Sequence, residues 1–201
     1  MKRKPKALSL FLAVAMLCTL VLPAAADELV TAPAPDAGAV TILYTNDVHT
    51  YIDSDITYSL VAGYKNTLSN VLLVDAGDHV QGTAYGSMDK GVTITKLMNA
   101  AGYDAATLGN HEFDYGMDGA MRAIRDAKFP YLSCNFYHEK NGVAGDSVLD
   151  PYKVFEVNGV KVAFVGITTP ESFTKSTPKY FQDNAGNYIY GITGGEDGSA
   201  L

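Results

Sequence analysis

From Val40 onward, short apolar runs alternate with stretches of helical periodicity. Val40-Thr41-Ile42-Leu43-Tyr44 has the β-branched and aromatic content of a strand, and Val71-Leu72-Leu73-Val74 is a continuous apolar run of the kind a buried parallel strand shows. Asp104 to Leu108 and Tyr131 to Phe136 predict two further strands. Between them, Ile56 to Leu68, Val92 to Ala101 and Met117 to Lys128 predict helices; the second puts Ile94, Leu97 and Met98 on one face and stops at Gly102. His138 to Gly145 reads as a polar loop. Tyr152 to Val157 and Val160 to Val165 flank Asn158-Gly159, a strong hairpin signal. Strands alternating with helices predict an α/β fold with a largely parallel sheet, and the late hairpin adds antiparallel strands. Ligands of such sheets gather at the carboxyl ends of strands.

The chain before Val40 follows other rules. Lys2, Arg3, Lys4 and Lys6 precede a largely apolar stretch, Ala7 to Leu22, and then Pro23 and Ala24-Ala25-Ala26. This is the pattern of a secretory signal peptide over 1–26, and the apolar stretch is short of the roughly 20 residues of a spanning helix. Asp27 to Ala39 reads as a disordered leader. The expected location is therefore secreted (periplasm, cell wall or extracellular), with no stable membrane span after signal removal.

Cleavage would take four of 15 basic residues and none of the 22 acidic ones, leaving 11 against 22, a formal charge of −11. Such a field repels nucleic acid and anionic lipid. Anionic substrates would then need local positive charge, for which bound metal is the natural source. Of the two cysteines only Cys134 would survive, so no internal disulfide is possible; its apolar run makes it a buried structural thiol rather than a nucleophile.

Polar motifs stand at the predicted strand exits. Asp47 and His49 follow the first strand two residues apart, so strand alternation would turn both side chains toward one ion. Asp78 follows Gly77 after the second strand, where a carboxylate can bridge two ions. Leu108-Gly109-Asn110-His111-Glu112-Phe113-Asp114-Tyr115-Gly116 crowds an amide, an imidazole and two carboxylates into one turn after the third. Taken singly, each has a bland reading as a turn or cap residue. Three in order at three strand ends point to a site. Two divalent ions would bring four positive charges against three from Asp47, Asp78 and a bridging hydroxide, with His49 and Asn110 neutral. The net positive site suits a phosphate ester.

Ile42 to His49, Leu72 to Thr83 and Leu108 to Gly116 resemble the three N-terminal signatures of the calcineurin-like metallophosphoesterases. More narrowly they resemble the secreted 5'-nucleotidase and 2',3'-cyclic-nucleotide phosphodiesterase branch, which includes the periplasmic UDP-sugar hydrolases. The protein Ser/Thr phosphatases are less similar, because Gly77-Asp78 continues as His79-Val80-Gln81-Gly82. The resemblance implies a sandwich of two mixed sheets flanked by helices. It also implies two divalent ions (Zn, Mn, Co or Fe), a small nucleotide or related phosphate ester as substrate, and hydrolysis by a metal-bridging hydroxide. By the same resemblance Asp47 and His49 bind one metal, Asp78 bridges, Asn110 binds the second, His111 contacts the phosphoryl group, and Asp114 orients His111. Glu112 is expected to be structural, bonded to backbone or to residues behind the ligands. His79 is expected behind the ligands or at the surface, since alternation turns it away from Asp78. His138 is expected in solvent.

Family members carry further His ligands later in the chain and a nucleoside-gripping C-terminal domain, whereas here no His follows His138. The tail from Gly194 to Leu201 reads as the start of a helix, capped by Asp197 or Ser199 and cut within its first turn. The expectation is a C-terminally truncated domain over 40–201, with an exposed sheet edge and a tendency to aggregate. A second reading is a non-catalytic, metal-binding remnant. A third is a related hydrolase of another anionic ester.

Overall fold

The computed structural model describes residues 39–53 and 56–194, all within one unit, Pro33–Leu201. The expected signal peptide, all of the leader but Ala39, and nearly all of the expected terminal helix start lie outside the described residues. Among those described, no helix is long and apolar enough to cross a membrane.

Three parallel strands form the part of the fold that carries the polar motifs. β1 (Thr41–Thr45) pairs with β2 (Val71–Asp75) in register from Thr41 opposite Val71 to Thr45 opposite Asp75, and β2 pairs with β3 (Ala105–Ala106). Parallel neighbours need a crossover. The first is α1 (Tyr58–Thr67), whose first turn is capped by Thr57 Oγ1 accepting the Leu60 amide at 3.2 Å. The second is α2 (Ala84–Asp89) followed by α3 (Val92–Ala101), which ends on Gly102 at φ 75°, a left-handed cap that glycine adopts without strain.

A 3-10 turn, His111–Phe113, leads into α4 (Gly116–Asp126). β4 (Phe136–Lys140) and β5 (Val143–Ser147) then form an antiparallel sheet with β8 (Tyr190–Ile192), in the order β5-β4-β8. The hairpin β6 (Tyr152–Val157) and β7 (Val160–Val165) turns at Asn158-Gly159 as expected. Between β7 and β8 lie α5 (Ser172–Lys175) and a 3-10 turn, Pro178–Phe181. The α/β class is as read from the sequence; the described strands fall into one parallel and two antiparallel sheets.

Three expectations fail locally. Tyr131 to Phe136 is not a continuous strand: Tyr131 and Leu132 make single parallel bridges to Ala106 and Asp150, and regular pairing starts only at Phe136. The backbone between makes single bonds to several segments, Ser133 N to Asp150 O and Cys134 N to Gly166 O, and the buried Asn135 side chain ties it to two more. Its Nδ2 donates to the carbonyls of Thr168 and Thr193 at 2.7 and 2.8 Å, and its Oδ1 accepts the Thr168 amide at 2.9 Å. Cys134 in this stretch is half-buried, not a core thiol. The supposed loop 138–145 is mostly strand, because Asn141-Gly142 turns a second hairpin.

The core gathers Leu73, Ile94, Met98, Leu108, Phe113, Phe136 and Phe181. Phe113 is fully buried, its ring 5.6 Å from Phe136 and 4.9 Å from Phe181. Burying such a side chain contributes about 2–3 kcal/mol, so the polar turn that contains it is pinned from below. β1 lies at the edge of its sheet and exposes Ile42 and Tyr44.

Candidate metal centre

The first two polar segments continue the parallel pairing past the ends of β1 and β2. Ala76 donates to Thr45 O, Asp47 to Gly77 O and His49 to Asp78 O, at 2.9, 3.1 and 3.0 Å. Asp47 and His49 therefore lie beyond β1, in a loop. Their φ angles are 52° and 48°, and that of Asp78 is 59°. Left-handed backbone costs a non-glycine residue roughly 1–2 kcal/mol. It is these angles, and not the strand alternation expected from the sequence, that bring Asp47 Oδ1 and His49 Nε2 to 3.6 Å.

The second and third loops interlock through glycine. A methyl at Gly77 would stand 2.5 Å from the Gly109 nitrogen, and one at Gly109 would overlap Asp78 Oδ1 and lie 2.6 Å from its Cγ. The close approach lets Asp78 Oδ1 accept the His111 amide at 2.8 Å. His49, Asp78 and His111 then place one donor atom each within 4.8 Å of one another, and the two rings meet edge to face at 4.7 Å.

Each imidazole has its tautomer set from behind. His49 Nδ1 donates to the Gln81 carbonyl at 3.0 Å, which leaves Nε2 a lone pair toward the site. His111 Nδ1 donates to Asp114 Oδ2 at 2.7 Å, so Nε2 is its working nitrogen. Both residues of this pair are partly exposed. Asp47 Oδ2 accepts the side-chain amide of Asn46. Asn110 directly precedes His111, and its carbonyl accepts the Phe113 amide at 3.3 Å.

Behind these loops lies a buried charged cluster. Glu112 Oε2 accepts the amides of Gly109 and Asp78 at 2.6 and 2.8 Å, and Oε1 accepts that of His79 at 2.9 Å. This fits the expected backbone role. His79 is fully buried, neither at the surface nor idle; its Nδ1 donates to Asp75 Oδ1 and its Nε2 pairs with the Tyr131 hydroxyl, both at 2.7 Å. Burial drives its pKa down, but the carboxylates of Glu112 and Asp75 outweigh that and hold it up at about 9, so it sits there as an imidazolium. Burial raises the Asp78 pKa, with the His111 amide opposing.

A cation at the mouth of these loops would relieve the desolvated Asp78. The carboxylate of Asp78 and the imidazoles of His49 and His111, with the Asp47 carboxylate beside His49, form a mixed oxygen and nitrogen set of the kind that Zn, Mn, Co and Fe accept. The residues fit a divalent metal. Three features escape sequence reading: the Asp75–His79–Tyr131 chain, the anchoring of His49 by Gln81, and the left-handed backbone. An Asp-Ala-Gly-Asp-His run contains the first in part, since it sets Asp75 four residues before His79.

Residues 40–190 match the family described as calcineurin-like phosphoesterase. A snake venom 5'-nucleotidase of Gloydius brevicauda is 38% identical over 159 residues, which is 69% of this chain and 27% of that protein. The 5'-nucleotidase of Homo sapiens is 36% identical over 167 residues, 73% of this chain and 29% of its own. The chain thus spans under a third of the length of these relatives. Among solved structures, a 5'-nucleotidase precursor from Thermus thermophilus superposes with a TM-score of 0.62 at 25% identity, over 79% of this chain and 32% of that one. The NAD nucleotidase of Haemophilus influenzae does so at 0.59 and 26%, over 77% and 29%. The match over 40–190 shows that the chain belongs to the calcineurin-like phosphoesterase family and carries a hydrolase domain of that family.

Proposed function

We propose that this chain carries the hydrolytic centre of a secreted enzyme acting on nucleotide phosphate esters, of 5'-nucleotidase or cyclic-nucleotide phosphodiesterase type. The export signal would occupy 1–26, a leader 27–39, and the catalytic domain would begin at Val40. Convergence of His49, Asp78 and His111, with Asp47 beside His49, carries the reading. Asp47 and His49 would hold one divalent ion, Asp78 would bridge to a second, and Asn110 would ligate that second ion. Bound metal would supply Lewis-acid charge for the phosphate oxygens and an activated water for in-line attack on phosphorus.

The remaining work belongs to the chain. His111 Nε2 meets the phosphoryl group and stabilises the charge that develops on it or on the leaving oxygen. Asp114, 2.7 Å from Nδ1, fixes the ring's orientation and tautomer. Nucleotides are favoured as substrates because the relatives are 5'-nucleotidases.

The test is hydrolysis of a chromogenic phosphate ester and of a nucleoside monophosphate with Mn, Zn or Co, against an Asp78→Ala control. Turnover that depends on metal and on Asp78 is expected. A second reading, metal binding without turnover, is favoured by donor number: Asp47, His49, Asp78 and Asn110 are four ligating groups for two ions, whereas one ion alone commonly takes four. Calorimetric Mn binding with no hydrolysis above the control would select it.

A further inference from the structure

We propose that Glu112 is a positioning residue of the catalytic centre: one carboxylate gathers the Gly109, Asp78 and His79 amides and so sets Asp78 against His111. The inference rests on the phosphoesterase reading of the site, and goes beyond it by naming what aligns the two loops.

Glu112 is buried, at 2% exposure, and its carboxylate is spent on three backbone amides. It lies on the third loop, while two of the amides it accepts belong to the second. The third, that of Gly109, lies three residues before it on its own turn, at 2.6 Å. None of the three has a partner within a helix or a strand ladder. A carboxylate can accept all of them because it has two oxygens and no donor, and charge-assisted bonds of this kind are roughly twice as strong as neutral ones. Its charge is met by the buried His79 ring, 3.5 Å from Oε1, which Asp75 and Tyr131 brace on its two nitrogens.

The clamp controls a bond that Glu112 does not make. Asp78 Oδ1 accepts the His111 amide only while the loops are in contact at Gly77 and Gly109. Glu112→Gln keeps the volume but exchanges one acceptor oxygen for an NH2 group. Whichever way the amide turns, at least one of the three backbone N–H groups then faces a donor.

The experiment uses the full chain, stripped of metal by chelation, and reads amide hydrogen exchange by NMR, unfolding in urea, and Mn binding by calorimetry. Glu112→Gln is compared with Asp104→Asn. Asp104 is a carboxylate placed before β3 that also accepts an amide, from Leu73 at 2.7 Å, and binds Lys65 at 2.8 Å. In Glu112→Gln the His111 amide is expected to exchange at least about tenfold faster, and Mn affinity to fall about 10–100-fold. Asp104→Asn is expected to lose stability with the His111 amide still protected and Mn affinity unchanged. Unchanged His111 exchange in Glu112→Gln, or equal release in Asp104→Asn, overturns the proposal.

If Glu112→Gln does not fold, the wild type decides. The amides of Gly109, Asp78 and His79 must exchange as slowly as those of β2, and fast exchange overturns the clamp. Failure of the wild type to bind Mn would count against the proposed function, while the exchange result would still judge Glu112.

Discussion

Gly109→Ala and Gly63→Ala make the same chemical change and should move the protein in opposite directions. At Gly109 the new methyl carbon would stand 2.6 Å from Asp78 Cγ and 2.9 Å from the Asp78 nitrogen, and would overlap Oδ1. Carbon atoms rest about 3.5–4.0 Å apart, so the carboxylate must withdraw by roughly 1 Å. The nearby nitrogen belongs to backbone, so turning the side chain does not remove the clash. Overpacking of this kind costs about 1–3 kcal/mol. The withdrawn carboxylate also gives up the His111 amide, worth about another 1 kcal/mol. At Gly63, inside α1, a methyl meets nothing within 4 Å, and replacing an interior helix glycine gains about 0.5–1 kcal/mol. Urea unfolding followed by circular dichroism should therefore separate the variants by roughly 2.5–5 kcal/mol. Calorimetry should show Mn affinity reduced about 10–100-fold in Gly109→Ala alone. A Gly109→Ala protein that melts and binds Mn like the wild type would refute the interlocked-loop geometry.

Asp114→Asn should lower turnover at least tenfold with Mn affinity and melting near wild type, since only the partner of His111 Nδ1 changes. His111→Ala is expected to keep metal and lose most turnover; equal loss of metal, measured by calorimetry, would place His111 among the ligands, as its approach to His49 and Asp78 allows. Asn135→Ala orphans the buried Thr168 amide and the Thr168 and Thr193 carbonyls, and should cost about 3–5 kcal/mol in urea, against under about 1 for the exposed Asn187→Ala. His79 is held at a pKa of about 9 against an ordinary 6.5, so its stabilisation is complete below pH 6.5 and lost as pH rises through 9. Stability of chelator-treated protein should accordingly fall across that window, and the fall should flatten in His79→Gln.

Much of the fold can be read because local pattern and tertiary role agree there. The helix expected over Val92 to Ala101 is found with those bounds, since its apolar face and its terminal Gly102 both act locally. The hairpin at Asn158-Gly159 is found for the same reason. The equivalent Asn141-Gly142 turn is hidden because Glu139-Lys140 before it is charged and Val143-Ala144 after it gives way at once to Gly145-Asp146, so neither flank alternates; β5 is exposed along its whole length. Tyr131 to Phe136 has strand composition, yet its polar members answer to the side chain of Asn135 and to Thr168, which lies over 30 residues away. No periodicity encodes such a bond.

At the site, residue types are legible and their geometry is not. Alternation along an extended chain would aim Asp47 and His49 together and turn His79 away; the first two side chains do approach each other, but by another route. The backbone there is left-handed at Asp47, His49, Thr50 and Asp78, and each residue carries a cost that no hydrophobic pattern reveals. Something must hold these conformations against relaxation. The Phe113 ring pins the third loop into the core. The Glu112 carboxylate, one residue earlier, ties that loop to the second by two amides, and the pairing of His49 N with Asp78 O ties the second to the first. Asn110 and His111 are therefore presented from a turn whose next two residues face inward, one charged and one apolar. The same short segment carries the proposed site residues and its own foundation toward the core, so substitutions at Glu112 or Phe113 should disturb the His49, Asp78 and His111 convergence without removing any of its members.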